Sequence, residues 1–192
     1  MSGRASSGTG TTFDRERLVA DCRAALAESS PEQAVRELVA RAVSEPSAVL
    51  AQLGEPKRSA IVALHRSPEL TILNVVWAPS MTIMPHDHRM WAVIGIYSGR
   101  EDNIFWRRIA DEPGGKVEAA GARALSCRDA IPLGDDIIHS VTNPLAAFTG
   151  AIHVYGGDFF AVDRSEWDPG TLLERPYDVQ RALRLFEDAN PT

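Results

Sequence analysis

The chain has 192 residues, 44% of them hydrophobic and 24% charged. That is enough for one domain with a sizeable core, and too apolar for disorder to be the default. A net charge of −6 and a pI near 5.4 argue against an electrostatic nucleic-acid footprint and against docking on an anionic membrane. No apolar run approaches the ~20 residues that span a bilayer.

Residues 1–12 are small and polar, without the apolar centre of a signal peptide, and read as a flexible tail. From Phe13 to Leu53 the pattern is helical. Leu18, Val19, Cys22, Ala25 and Leu26 form one apolar stripe, and Val35, Leu38, Val39 and Val43 a second. Ser30-Pro31 marks a helix start, with Ser30 as a potential cap and Pro31 at the first helical position. Ser44-Glu45-Pro46-Ser47 breaks that helix and opens a short third one ending at Gly54. These helices carry no evident chemistry and read as a packing layer over 13–56.

Near Arg58 the character changes. Ser59–His65, Leu70–Trp77, Trp91–Tyr97, Asn103–Ala110, Lys116–Ala124, Ile137–Thr142 and Ala147–Tyr155 are strand-like, separated by turn signals such as Ser98-Gly99, Pro113-Gly114-Gly115 and Pro132-Leu133-Gly134-Asp135. About eight strands with short turns point to a sandwich or barrel over 57–163 rather than to parallel βαβ units. After Asp163 the pattern is irregular until a last helix near Asp178–Glu187, within an extension over 164–192. Cys22 and Cys127 are far apart and make no zinc motif, so a reducing, cytoplasmic setting is expected.

Three of the five histidines carry the chemistry. His86 and His88 lie two apart in Pro85-His86-Asp87-His88. On a strand they share a face, with Cα atoms roughly 7 Å apart, and Asp87 points away. His139 follows the Gly134-Asp135-Asp136 turn. Three imidazoles without a carboxylate or a well-placed cysteine suit Fe, Zn, Cu or Ni rather than Mg or Ca, and leave the ion's full charge to attract anions. His153 and Tyr155 are again two apart and share a face of a late strand. His65 reads as structural, and Trp91 as a pocket or core residue in equal measure.

Two stretches, His86-x-His88 running to Gly99 and Pro132-Leu133-Gly134-Asp135-x-x-x-His139-x-x-x-Asn143, resemble the two motifs of the cupins. In many cupins a glutamate follows His-x-His by four or five residues; here those positions are Ala92 and Val93. A three-histidine site lacking that glutamate is similar to the thiol dioxygenases, the cysteine dioxygenase family. The resemblance extends to Trp91–Gly95, Arg107-Arg108, Ile138–Asn143 and Ile152–Gly157, covering roughly Leu70 to Phe160.

The resemblance implies a mainly β cupin barrel of the double-stranded β-helix type, with N-terminal helices and a C-terminal helix. It implies Fe(II) held by His86, His88 and His139, and a small thiol oxidised by O2 to a sulfinate. His153 and Tyr155 match the last two members of a Ser-x-His-x-Tyr triad and would orient the substrate or move a proton. The serine position is Ala151, which removes a hydroxyl that would orient the histidine. A cysteine that some members crosslink to the tyrosine is absent, since Ala92 and Val93 stand there. Family members usually anchor the substrate carboxylate with an arginine, several of them shortly before His-x-His. None lies between Leu70 and Pro85, which leaves Arg107 and Arg108, with Trp91, as substrate-binding candidates. The expected partners are the thiol and O2, with no nucleic acid or membrane, in a monomer or small homo-oligomer. The same residues also allow a three-histidine cupin enzyme acting on a carboxylate or diketone, or a non-catalytic metal- or ligand-binding module.

Overall fold

A computed structural model describes residues 13–190, so the expected tail over 1–12 lies outside the described residues. Three helices come first: α1 (Arg15–Ala25), α2 (Pro31–Ser44) and α3 (Pro46–Leu53). Asp14 caps α1, its side chain accepting from the Arg17 N–H. Pro31 opens α2, but Ser30 makes no side-chain capping bond. Gly54 ends α3 at φ +81°, a conformation a side chain would strain.

Eleven strands follow: β1 (Ala60–Arg66), β2 (Thr71–Trp77), β3 (Thr82–Asp87), β4 (Ala92–Ser98), β5 (Arg100–Arg108), β6 (Val117–Ser126), β7 (Ala130–Leu133), β8 (Ile138–Thr142), β9 (Thr149–Tyr155), β10 (Ser165–Trp167) and β11 (Glu174–Pro176). The chain closes with α4 (Val179–Asp188). One sheet runs β1-β2-β9-β4-β7 and the other β11-β10-β3-β8-β5-β6. Strands β2 to β9 divide as 2-9-4-7 and 3-8-5-6, the order of an eight-strand jelly roll, or double-stranded β-helix. The fold is therefore the mainly β cupin-type barrel with flanking helices.

The first sheet is covered on both faces, which explains its near-continuous apolar strands. Leu73, Val75, Ala92, Ile94, Ile96, Ala151 and Tyr155 face the barrel interior. Ile72, Val93, Tyr97, Ile152 and Val154 face outward onto Val35, Val39 and Val43 of α2 and Cys22 of α1. Each such aliphatic residue contributes about 1.5–3 kcal/mol on burial. Gly95 lets α2 come close, since a Cβ there would collide with Val39. The second sheet ends in β6, whose central residues are exposed.

Two stretches differ from the sequence reading. Pro132-Leu133, read as a turn, belongs to β7, where Pro132 pairs with Val93. The proline is tolerated because β7 is an edge strand. The region after Asp163, read as irregular, supplies β10 and β11. Glu166 of β10 pairs opposite His86 of β3, extending the second sheet. The fully buried Glu166 carboxylate accepts from Arg175, Arg181 and the Asp178 N–H, tying this region to α4. No helix among the described residues is long and apolar enough to cross a membrane.

Candidate metal centre

His86 is the penultimate residue of β3 and stands directly opposite His139 on β8. His88 lies one residue past the end of β3, yet alternation still turns it to the side of His86 while Asp87 faces away. The Asp87 carboxylate accepts from Arg89 and from the Ser165 N–H. All three histidines are buried, and each offers a ring nitrogen within 4.8 Å of the others. The Nε2 of His88 lies 3.2 Å from that of His86 and 3.2 Å from that of His139. Metal–nitrogen bonds of about 2.1 Å at angles between 90° and tetrahedral put neighbouring nitrogens about 3.0–3.4 Å apart. Both spacings from His88 fit two ligands of one ion, and the His86–His139 pair closes the set within 4.8 Å.

The hydrogen-bond partners of the rings agree. His86 Nδ1–H donates to the Met84 carbonyl at 2.9 Å, and His139 Nδ1–H to the Asn103 carbonyl oxygen at 2.8 Å. Both rings therefore turn an Nε2 lone pair inward. His88 can donate a single proton from Nε2 and so satisfies at most one of them. Three converging nitrogens with one available hydrogen between them call for a cation. Burial keeps the rings neutral, as ligation requires. It lowers His86 to about 4, with Arg164 and His153 adding to the effect. It also pushes His88 and His139 well below the ordinary imidazole range.

The other sheet faces this cluster with His153 and Tyr155 of β9. The Tyr155 ring stands edge-on to His88, centroids 5.0 Å apart. His153 Nδ1 lies 3.1 Å from the Tyr155 hydroxyl. Burial raises the Tyr155 phenol well above its ordinary range, with Arg164 partly offsetting it. Ala92 pairs opposite Tyr155 and brings no sulfur to it. The three histidines, His153, Tyr155, Phe159 and Tyr177 line a small cavity of about 30 Å³. Its remaining wall is apolar, from Ile61, Leu73, Val75, Trp77 and Phe186.

Three sequence candidates do not reach this cavity. The Arg107 side chain is 70% exposed and pairs with Glu118, and Arg108 pairs with Glu174. Both lie beyond the last β5–β8 pair, Trp106 with Ile138, where no barrel interior remains to face. They line an outer groove with Asp135 and Asp136 instead. Trp91 packs with the helix-side core, its indole over Gly156. His65 lies on edge strand β1, away from the cluster.

Three functional candidates were missed. Asn103 holds His139, as above. Glu101, also on β5 and fully buried, accepts from Trp77 Nε1–H and lies 3.2 Å from His153 Nε2. Arg164 is 6% exposed. Its guanidinium is stacked 3.9 Å from the Phe159 ring centre and 4.1 Å from that of Tyr177. Nη1–H donates to the Phe159 carbonyl at 2.7 Å, while Nε and Nη2 have no hydrogen-bond partner among the described residues. Both flanking rings line the cavity, and the Arg164 charge acts on His86, His88 and Tyr155. Strand parity was the available signal for Glu101 and Asn103, which share the inward side of Phe105. Arg164 had none.

No family model matches the chain. Solved structures are similar to parts of the chain. An RmlC-like cupin family protein with a double-stranded β-helix from Methanocaldococcus jannaschii is 10% identical, over 54% of this chain and 84% of that one, with a TM-score of 0.43. A cupin superfamily protein from Desulfitobacterium hafniense is 16% identical over 57% and 88%, with a TM-score of 0.43. An oxalate oxidase in complex with the substrate analogue glycolate is 15% identical over 54% and 53%, with a TM-score of 0.41. Such identities concern the fold alone.

Proposed function

We propose that this protein is a non-haem Fe(II) dioxygenase that converts a small anionic thiol and O2 into a sulfinate, RS⁻ + O2 → RSO2⁻. The observation carrying this reading is one small cavity lined by three neutral imidazoles and a buried tyrosine, with the buried Arg164 stacked on two of its walls, Phe159 and Tyr177. His86, His88 and His139 would hold the iron. Fe(II) in a three-imidazole site supplies positions for thiolate and O2, and the redox capacity for their combination.

The protein's own residues do the rest. Arg164 takes the substrate carboxylate through its free Nε–H and Nη2–H, the planar fork suited to a carboxylate. In this reading the anchor comes after β9 rather than before β3. Tyr155, held by His153, orients whatever occupies the space beside His88. The apolar wall from Leu73 to Phe186 keeps water from the reacting sulfur.

The test is oxygen uptake by full-length protein loaded anaerobically with Fe(II), against cysteine, 3-mercaptopropionate, mercaptosuccinate, cysteamine and a neutral thiol. Uptake matched by sulfinate, and lost in His86→Ala, supports the proposal. Stoichiometric iron binding without uptake on any thiol overturns it and leaves a metal-binding barrel to be tried with carboxylates and diketones.

A further inference from the structure

Position 151 is an alanine on the same face of β9 as His153 and Tyr155. It pairs with Val75 and Ile96, and nothing polar reaches His153 from that strand position. Yet His153 is buried with both ring nitrogens engaged. The partner of its Nε2 is the Glu101 carboxylate, which belongs to the opposite sheet and reaches across the barrel. One oxygen, Oε1, faces both Trp77 Nε1–H and His153 Nε2. The other, Oε2, is buried without a hydrogen-bond partner among the described residues.

The donor inventory sets the direction of each bond. An indole nitrogen only donates, so Glu101 Oε1 is an acceptor. A carboxylate has no hydrogen to give, so His153 Nε2, facing the same oxygen, carries one. A neutral His153 protonated at Nε2 has a bare Nδ1. The Tyr155 O–H, 3.1 Å away, therefore donates to Nδ1. The tyrosine proton is directed at His153, and the phenol oxygen is left to accept from the cavity side. We infer that Glu101 is a positioning residue that takes over the task Ala151 cannot perform: it fixes the tautomer of His153 and, through it, the direction of the Tyr155 hydroxyl. Its action on catalysis rests on the thiol dioxygenase reading; its action on the tautomer does not.

Removing the carboxylate leaves His153 Nε2 and Trp77 Nε1 without their acceptor, so both tautomers of His153 become available and Tyr155 loses its fixed orientation. Long-range proton–nitrogen NMR on metal-free, full-length protein with ¹⁵N-labelled histidine reads the tautomer. The wild type is expected to show His153 protonated at Nε2. Glu101→Ala should shift it to the Nδ1–H form or a mixture, and Glu101→Gln, which keeps an acceptor oxygen, should restore it. With Fe(II) and the best thiol, Glu101→Ala should lower kcat about 10- to 100-fold, as loss of an outer-shell partner does, with KM changing less. Glu101→Gln should recover most of it. If Glu101→Ala does not fold, Glu101→Met keeps the volume without the acceptor and makes the same comparison. A wild-type His153 protonated at Nδ1, or an acceptor-free variant matching wild type in tautomer and kcat, would overturn the inference. Absence of thiol oxidation in the wild type would sink the functional reading while the NMR result still judged Glu101.

Discussion

Arg164→Gln separates the proposed carboxylate anchor from the rest of the cavity. Among the described residues the guanidinium donates Nη1–H to the Phe159 carbonyl and has two nitrogens, Nε and Nη2, without partners. A hydrogen bond to a charged group contributes about 1.5–3 kcal/mol. Counting a substrate carboxylate on the two free donors at the low end of that range gives about 3 kcal/mol, or roughly a hundredfold in kcat/KM. The assay is the ratio of kcat/KM for 3-mercaptopropionate to that for cysteamine, which carries the thiol without a carboxylate. The ratio should fall about a hundredfold in Arg164→Gln. It should stay within twofold in Arg107→Ala and Arg108→Ala, whose side chains pair outward with Glu118 and Glu174. Stability should change little, because stacking on Phe159 and Tyr177 is lost together with the cost of burying a cation. Equal losses on both thiols, or a drop in the ratio from the Arg107 variant, would refute the assignment.

Other expectations follow from the same geometry. Asn103→Ala frees the His139 ring and should weaken Fe(II) or Zn(II) binding about 10- to 100-fold, measured by competition with a chelating dye; unchanged affinity would remove Asn103 from the site. Burial holds His86 at about 4 against an ordinary 6.5, so between those values the unfolded chain binds more protons than the folded one. The metal-free protein should therefore be most stable above pH 6.5 and lose about 3 kcal/mol from this group as pH falls to 4, seen as a lower urea midpoint. A flat midpoint from pH 7 to 4 would contradict a buried neutral His86. Gly95→Ala places a Cβ against Val39 and should destabilise by about 1–3 kcal/mol in a thermal melt while sparing metal affinity.

Much of the barrel is legible in the chain because its strands repeat one physical situation. Strands β2 and β9 are buried along their whole length, so they appear as largely apolar runs bounded by turn residues. The metal cluster is legible because spacing alone converges His86 and His88, and the Gly134-Asp135 turn sets His139 apart. Glu101 is hidden for the opposite reason. Within Arg100-Glu101-Asp102-Asn103 it looks like solvated charge, and indeed Arg100 and Asp102 pair with each other near the surface. Only the parity shared with Phe105 distinguishes the inward pair. Arg164 is hidden more deeply. Its burial comes from Phe159 and Tyr177, residues on either side of β10 in a stretch with no period to read.

The site also spans the two sheets, and that limits what any local pattern can reveal. His86, His139, Asn103 and Glu101 come from β3, β8 and β5 of one sheet. Trp77, His153 and Tyr155 come from β2 and β9 of the other. The sheets meet chemically at the Glu101–His153 bond and at the edge contact of Tyr155 with His88. A carboxylate is thus present although Ala92 and Val93 supply no carboxylate ligand. It is set back from the histidine cluster and bonded to His153, where it can balance buried positive charge without occupying a ligand position. Leaving that position free is what the proposed reaction of a thiol with O2 requires.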